Sequence, residues 1–128
     1  MPTGQSQEVA FEAEDLTDLR RFVLRWASDE ALEDGLAQEF VLAIHEIATN
    51  SVRHGGGRGR LMVWREGETL LCEVRDNGQI SNPMLGEVQP GPQASCSRGL
   101  WIANQLCDLV QIRSSAAGSQ VRMHKHLR

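Results

Sequence analysis

A chain of 128 residues that is 41% hydrophobic and carries a net charge of −4 has the size of one domain, expected over 1–128, and enough apolar matter for a core. A pI near 5.5 argues against direct nucleic-acid binding, which needs a basic face to displace counterions. Three cysteines, Cys72, Cys96 and Cys107, make neither a disulfide framework nor a zinc site. With no run of about 18 apolar residues and no basic-then-apolar leader, the chain is expected in the cytoplasm, away from membranes.

Residues 1–7 are expected to be a flexible N-terminus, and "EVAFEA" (8–13) alternates like a first strand. The run from Asp15 to Glu30 spaces Leu16, Leu19, Phe22, Val23 and Trp26 as a helix does, with Asp15 as a plausible cap. A second helix is expected around 35–54, with Leu36, Phe40, Ile44, Ile47 and Ser51 in one stripe widened by Ala37, Val41 and Ala48. "RLMVWRE" and "TLLCEVRD", joined by "GE", predict a hairpin. Its second strand carries Leu70, Cys72 and Val74 on a buried face and Leu71, Glu73 and Arg75 on a partly wet one. Residues 77–99 are rich in Gly, Pro and Ser and long for a connection inside a compact domain. A helix from about 98 to 108 and a closing hairpin that turns at "AAGS" complete the order β-α-α-β-β-α-β-β. Hairpins outnumber crossovers. The fold class is therefore α+β, a mostly antiparallel mixed sheet with helices on one face.

Three segments carry chemistry. On a helical wheel, at about 100° per residue, Glu46, Asn50 and Arg53 cluster away from the apolar stripe, with His54 between the two. They are either an ordinary solvent face or a set of ligand contacts. Asn is a poor helix former late in a strongly patterned helix, and "GGG" follows, which suits close approach of backbone to a ligand. In "VRDNGQI", Asp76 continues the buried alternation of Leu70, Cys72 and Val74, where a carboxylate is costly unless paired. "DNG" is also plain turn chemistry. The other reading is a carboxylate that accepts a hydrogen bond from the amine of a bound base, with Gly78 letting a flat ring lie against the backbone. In "CSRGLWIANQLCD", Gly99 standing directly before an apolar helix would leave free backbone N–H groups for phosphate, with Arg98 as an added cation. Gly99 as a simple hinge is the other reading.

Together the segments resemble the ATP-binding fold shared by DNA gyrase, histidine kinases and heat-shock chaperones. "E-x-x-x-N" from Glu46 to Asn50 looks like its N box, "D-x-G" from Asp76 to Gly78 like its G1 box, and "SRGL" from Ser97 to Leu100 like its G2 box. "GSQV" (118–121) looks like the strand whose hydroxyl, here on Ser119, helps hold adenine. Within that superfamily the chain is most similar to the anti-sigma-factor serine/threonine kinases of bacterial partner-switching systems, over nearly its whole length. "NSVRHGGG" and "RGLWIANQLCDLVQIRS" are its most specific stretches.

The resemblance implies a two-layer sandwich of the Bergerat type that binds ATP and Mg2+. Glu46 would be the general base toward a serine hydroxyl, Asn50 the magnesium ligand and Asp76 the adenine reader. Arg53, His54, Gly78, Ile80, Arg98, Gly99, Leu100 and Ser119 would join the nucleotide site, and 86–98 would form the ATP lid. The implied partners are an anti-anti-sigma (STAS-domain) protein, a sigma factor and a second copy in a homodimer. The alternative is a nucleotide-binding regulatory module without kinase turnover, possible also as the ATPase domain of a larger regulator. Ser97 stands where the family's first G2 glycine stands, Ile80 where glycine is frequent, and Gly118-Ser119 replaces Gly-Thr. Two further features stay open. His124 and His126 share a strand side and could hold a metal, though no third ligand is in view. Trp64 and Trp101 serve either a partner surface or core packing.

Overall fold

The structure, a computed structural model, describes residues 6–78 and 95–127, and of 95–97 the backbone alone. The flexible stretch expected over 1–7 falls largely outside the described residues, as do Ile80, the 86–94 part of the expected lid and the Ser97 side chain.

β1 (Gln7–Glu12) leads through a 3₁₀ turn, Ala13–Asp15, into α1 (Leu16–Asp29). Asp15 does not cap α1 with its side chain; its Oδ2 accepts from the Glu12 N–H at 2.9 Å and so fixes the turn out of β1. α2 (Asp34–His54) starts where Glu33 accepts from the N–H groups of Gly35 and Leu36, two of the donors a helix start leaves unmet. β2 (Arg58–Glu66) and β3 (Thr69–Asp76) form the expected hairpin. α3 (Ser95–Leu106) precedes β4 (Leu109–Ser115) and β5 (Gly118–His126).

The strands order as β1-β2-β3-β5-β4, and each neighbouring pair is antiparallel. The expected mixed sheet is thus antiparallel throughout its described pairs. The reason is topological. β3 and β4 run the same way, but β5 returns from β4 and inserts between them, so the crossover through α3 spans a strand it never pairs with.

The inner face of the sheet buries Phe11, Leu61, Val63, Leu70, Cys72, Val74, Val121 and Met123 against the apolar stripes of the helices, including Val23, Phe40, Ile44 and Leu100. Ala43 joins the predicted α2 stripe, while Leu36 stays at its margin. Cys72 and Cys107 are core residues. Burial pushes the Cys72 thiol well above its ordinary range and that of Cys107 up to about 12, so both stay protonated.

The outer face departs from expectation. Leu71 and Glu73 are buried instead of wet, and so is Trp64, which rules out Trp64 as an exposed surface marker. Glu73 accepts from the Arg75 Nε, and its Oε1 accepts from Arg122 Nε and Nη2 at 3.0 and 2.8 Å. The Arg122 guanidinium lies 5.1 Å from the centroid of the Trp64 ring, and Trp64 Nε1 donates to Glu66 at 2.7 Å. Long arginine stems cover what the sequence alternation alone would leave in water. His124 pairs with Gln111 and His126 with Thr69, and no group of three metal-ligating side chains occurs among the described residues. No helix of the described chain is long and apolar enough to cross a membrane.

Burial is the largest cause that holds the imidazoles of His45 and His124 below their ordinary pKa, and nearby Arg20 and Arg122 respectively add to it. His45 also keeps Nδ1 buried without a hydrogen-bond partner among the described residues. A depressed folded-state pKa means that the unfolded chain takes up protons first as pH falls through 6.5. Stability present above that pH is therefore lost on acidification. The urea midpoint should be lower at about pH 5.5 than at about pH 7.5, and His45→Gln should shrink that difference.

Candidate functional site

The alternation of β3 delivers Asp76 to the inner face at the end of the strand, opposite Ser119 on β5. The carboxylate is met from three directions. Ser51 Oγ of α2 donates to Oδ2 at 2.6 Å, Ser119 Oγ donates to Oδ1 at 2.8 Å, and the Gly78 N–H donates to Oδ1 at 2.8 Å. A carboxylate has about four acceptor positions, so one remains on Oδ2. Ser51 is the polar residue in the apolar stripe of α2, and this contact explains its burial.

Two glycines make room for the carboxylate. A Cβ on Gly55 would collide with the Asp76 carboxyl group, and one on Gly118 would collide with the Asp76 carbonyl oxygen. Gly118 also holds φ at 131°, which side-chain-bearing residues rarely adopt. The three glycines after α2 thus serve the chain's own packing: Gly55 yields to Asp76, while Gly56 and Gly57, at φ 96° and 86°, turn the chain into β2. Gly78 packs on the end of α2, where a Cβ would lie 2.6 Å from the His54 carbonyl oxygen. The Asn77 N–H donates to the Gly55 carbonyl at 3.2 Å, which ties that helix end to β3.

Asn50 meets α3. A Cβ on Gly99 would stand 2.8 Å from Asn50 Nδ2. This corrects the expectation for Gly99. The helix begins at Ser95, so Gly99 lies in its second turn and does not lead it. The unbonded N–H groups of a helix start are the first four, here those of residues 95–98. Gly99 acts as the gap that lets Asn50 approach.

A small cavity of about 30 Å³ joins these parts. Asp76, Ser119, Gly78, Asn50 and His54 supply its polar edge, and Ile47, Val74, Leu100 and Val121 its apolar walls. Glu46 is half-buried one helical turn before Asn50, outside that lining, and makes no hydrogen bond or ion pair with a described residue. Arg53 and Arg98 are exposed and also outside it. Eight of the eleven candidate residues thus gather at or beside one point; Arg53 and Arg98 stand apart, and Ile80 lies outside the described residues. Ser51 is the functional contact that the sequence reading missed as such. Its signal was a hydroxyl in an otherwise apolar stripe.

The Histidine kinase-like ATPase domain family matches residues 9–125. The chain belongs to that family. Two solved structures share the fold of this ATPase domain. The RsbU and RsbW domains of Rv1364c from Mycobacterium tuberculosis superpose with a TM-score of 0.72 at 16% identity, over 96% of this chain and 32% of that one. The Acinetobacter baumannii histidine kinase AdeS gives 0.56 at 10% identity, over 98% of this chain and 70% of that one. The domain therefore spans about a third of the first structure's length. No curated protein matches it.

The donor set fits the adenine end of a nucleotide: one carboxylate acceptor, a hydroxyl beside it and hydrocarbon walls for a flat ring. The volume does not yet fit, since ligand pockets usually measure about 300–1,000 Å³. A base enters this ATPase domain only if the walls move apart. The two glycines at the centre of the site predict different outcomes. Gly55→Ala should cost more than about 2 kcal/mol in urea unfolding, because backbone and a triply bonded carboxylate must both shift. Gly99→Ala should stay within about 1 kcal/mol of wild type, because helix propensity gained offsets a displaced, flexible Asn50.

Proposed function

We propose that this domain binds Mg-ATP and is a protein serine/threonine kinase of the partner-switching type. It would phosphorylate an anti-anti-sigma (STAS-domain) partner and sequester a sigma factor when that partner is unavailable, in the cytoplasm and as a homodimer. The observation that carries the reading is the convergence of three sequence-distant motifs: Asp76 held by Ser51 and Ser119, with Asn50 packed on Gly99 beside them. The family match and the fold shared with the RsbU and RsbW domains of Rv1364c support it.

The chain's own residues divide the work. Asp76 keeps one acceptor position for an exocyclic amine, and its three donors hold it oriented. Leu100 and Val121 exclude water from a ring placed there. The Asn50 amide oxygen is a hard ligand suited to magnesium. Glu46 stands one turn away, about 6 Å along the helix, without an ion pair among the described residues that would occupy its carboxylate. It is placed to take the proton of a serine hydroxyl while the serine oxygen bonds to the transferred phosphoryl group and ADP leaves. ATP supplies the phosphoryl group, and most of the catalysis is positioning and charge neutralisation.

A second reading, nucleotide holding without transfer, rests on Ser97 in place of the family's glycine. Two variants separate them. Asn50→Ala should abolish the thermal stabilisation that Mg-ATP gives the wild type. Glu46→Gln should keep that stabilisation and lower transfer to a STAS-domain substrate by about 10²- to 10⁴-fold. Wild type that is stabilised by Mg-ATP but transfers nothing supports the second reading. Variants that both behave like wild type refute the site assignment.

A further inference from the structure

Among the described residues, helices cover one face of the sheet, and the other face carries arginines that the nucleotide reading does not use. Register places Ala10, Arg60, Arg75, Gln120 and Arg113 in one row across all five strands, on the face opposite the core. Arg58 stands one step further along β2, beside Glu12. Arg58, Arg60, Arg75 and Arg113 line a groove of about 950 Å³ at that end of the sheet. The chain has a net charge of −4, yet 4 of its 13 cationic Lys and Arg residues gather here.

The row opposes two like charges. Arg60 and Arg75 are direct cross-strand partners, an arrangement that is destabilising in itself. Each is held by a carboxylate one row away. Arg60 donates to Glu8 at 2.7 Å, and Arg75 donates to the buried Glu73. These contacts fix the guanidinium stems and leave further N–H donors on each head. Arg58 and Arg113 are exposed and form no ion pair among the described residues. Glu12 and Asp15 stand at the β1 end of the groove and Asp76 at its middle, where Ser51, Ser119 and Gly78 already donate to it, so the positive charge unpaired among the described residues is that of Arg58 and Arg113.

From these observations we propose that the groove is a docking site for an acidic, carboxylate-rich peptide segment of a partner protein. Three strand spacings separate Arg60 from Arg113, about 14 Å. That is too long for a single anion and matches an extended segment of about five residues with acidic side chains at alternate positions, each able to take an arginine fork bidentately. Pre-anchored guanidiniums lose less freedom on binding than free ones. Nucleic acid fits less well. Phe11 is the groove's aromatic lining residue and is 1% exposed, so the described groove offers no stacking platform. Asp76, Gly118 and Ser119 line the groove, and Asp76 and Ser119 belong to the nucleotide site as well, so the proposal is tested through Arg58 and Arg113, which the nucleotide reading does not use.

The test is fluorescence anisotropy of a labelled hexaglutamate peptide with the full chain at about 50 mM salt, where charge contacts are weakly screened. Saturable binding is expected. Arg58→Gln/Arg113→Gln should weaken it by about tenfold or more while urea stability stays unchanged, and Arg21→Gln/Arg25→Gln on α1 should leave it intact. No saturable binding, an equal loss in both double variants, or tighter binding of a single-stranded oligonucleotide or of tripolyphosphate would each overturn the assignment. Mg-ATP stabilisation measured on the same groove variant keeps this outcome separate from that of the kinase reading.

Discussion

A carboxylate at the edge of a hydrocarbon core is costly unless most of its acceptor positions are met, and Asp76 meets that condition by drawing on three separate parts of the chain. Ser51 comes from the last turns of α2, Ser119 from the first residues of β5, and Gly78 from the chain just past β3. Each donor must arrive for the others to be worth their own desolvation. The demand extends to residues with no polar side chain: Gly55 and Gly118 lack a Cβ at the points where one would strike Asp76. The end of one helix and the ends of two strands are therefore tied by a single carboxyl group. The site is a product of the fold's closure, and the fold is held in turn by the site.

Much of this was legible in the sequence because it is periodic. Helical spacing located α1 and α2, and alternation located β2 and β3 and put Asp76 in line with Leu70, Cys72 and Val74. What stayed hidden depends on neighbours that no local period reports. The start of α3 at Ser95 lies within a Gly-, Pro- and Ser-rich stretch whose composition reads as loop, so Gly99 was assigned to a helix entry it does not occupy. The insertion of β5 between β3 and β4 decides the sheet order, and hairpin signals alone leave that choice open. The alternation of Glu73 predicts a partly wet face and leaves Trp64 open between a partner surface and core packing, because both face away from the helices. Arg75, two residues along β3, and Arg122, brought in by cross-strand register, bury Glu73, and the Arg122 guanidinium lies over the Trp64 ring.

The two faces of the sheet solve the same problem differently. Inside, a core of hydrocarbon excludes water, and Lys125 is the buried charge. It continues the Val121, Met123 alternation and donates to Glu39 of α2 at 2.9 Å and to the Leu106 carbonyl. Outside, no helix among the described residues covers the strands, and a buried carboxylate with two guanidiniums forms a cover there. Ion pairs of this kind add little net stability over hydrocarbon of the same shape, but breaking one partner leaves a buried charge exposed to its full desolvation cost. They act as constraints on register more than as sources of stability.

The inner lysine also limits how the small cavity can enlarge. α3 packs along α2 and the core, and two of its contacts bear on the cavity. Its C-terminal end carries the Leu106 carbonyl that accepts from Lys125, a cation where the helix dipole favours one. Nearer its start, Gly99 and Leu100 rest on Asn50 and on the cavity wall. The first contact is charged and buried, and losing it would strand a lysine in the core. The second sets Gly99 against the Asn50 amide and Leu100 in the cavity wall. A ring that enters the cavity must therefore displace Leu100 while the Lys125 contact holds the C-terminal end of α3. That displacement separates Leu100 from Val74 and Val121 while leaving Asp76 and its three donors, none of which belongs to α3, in place.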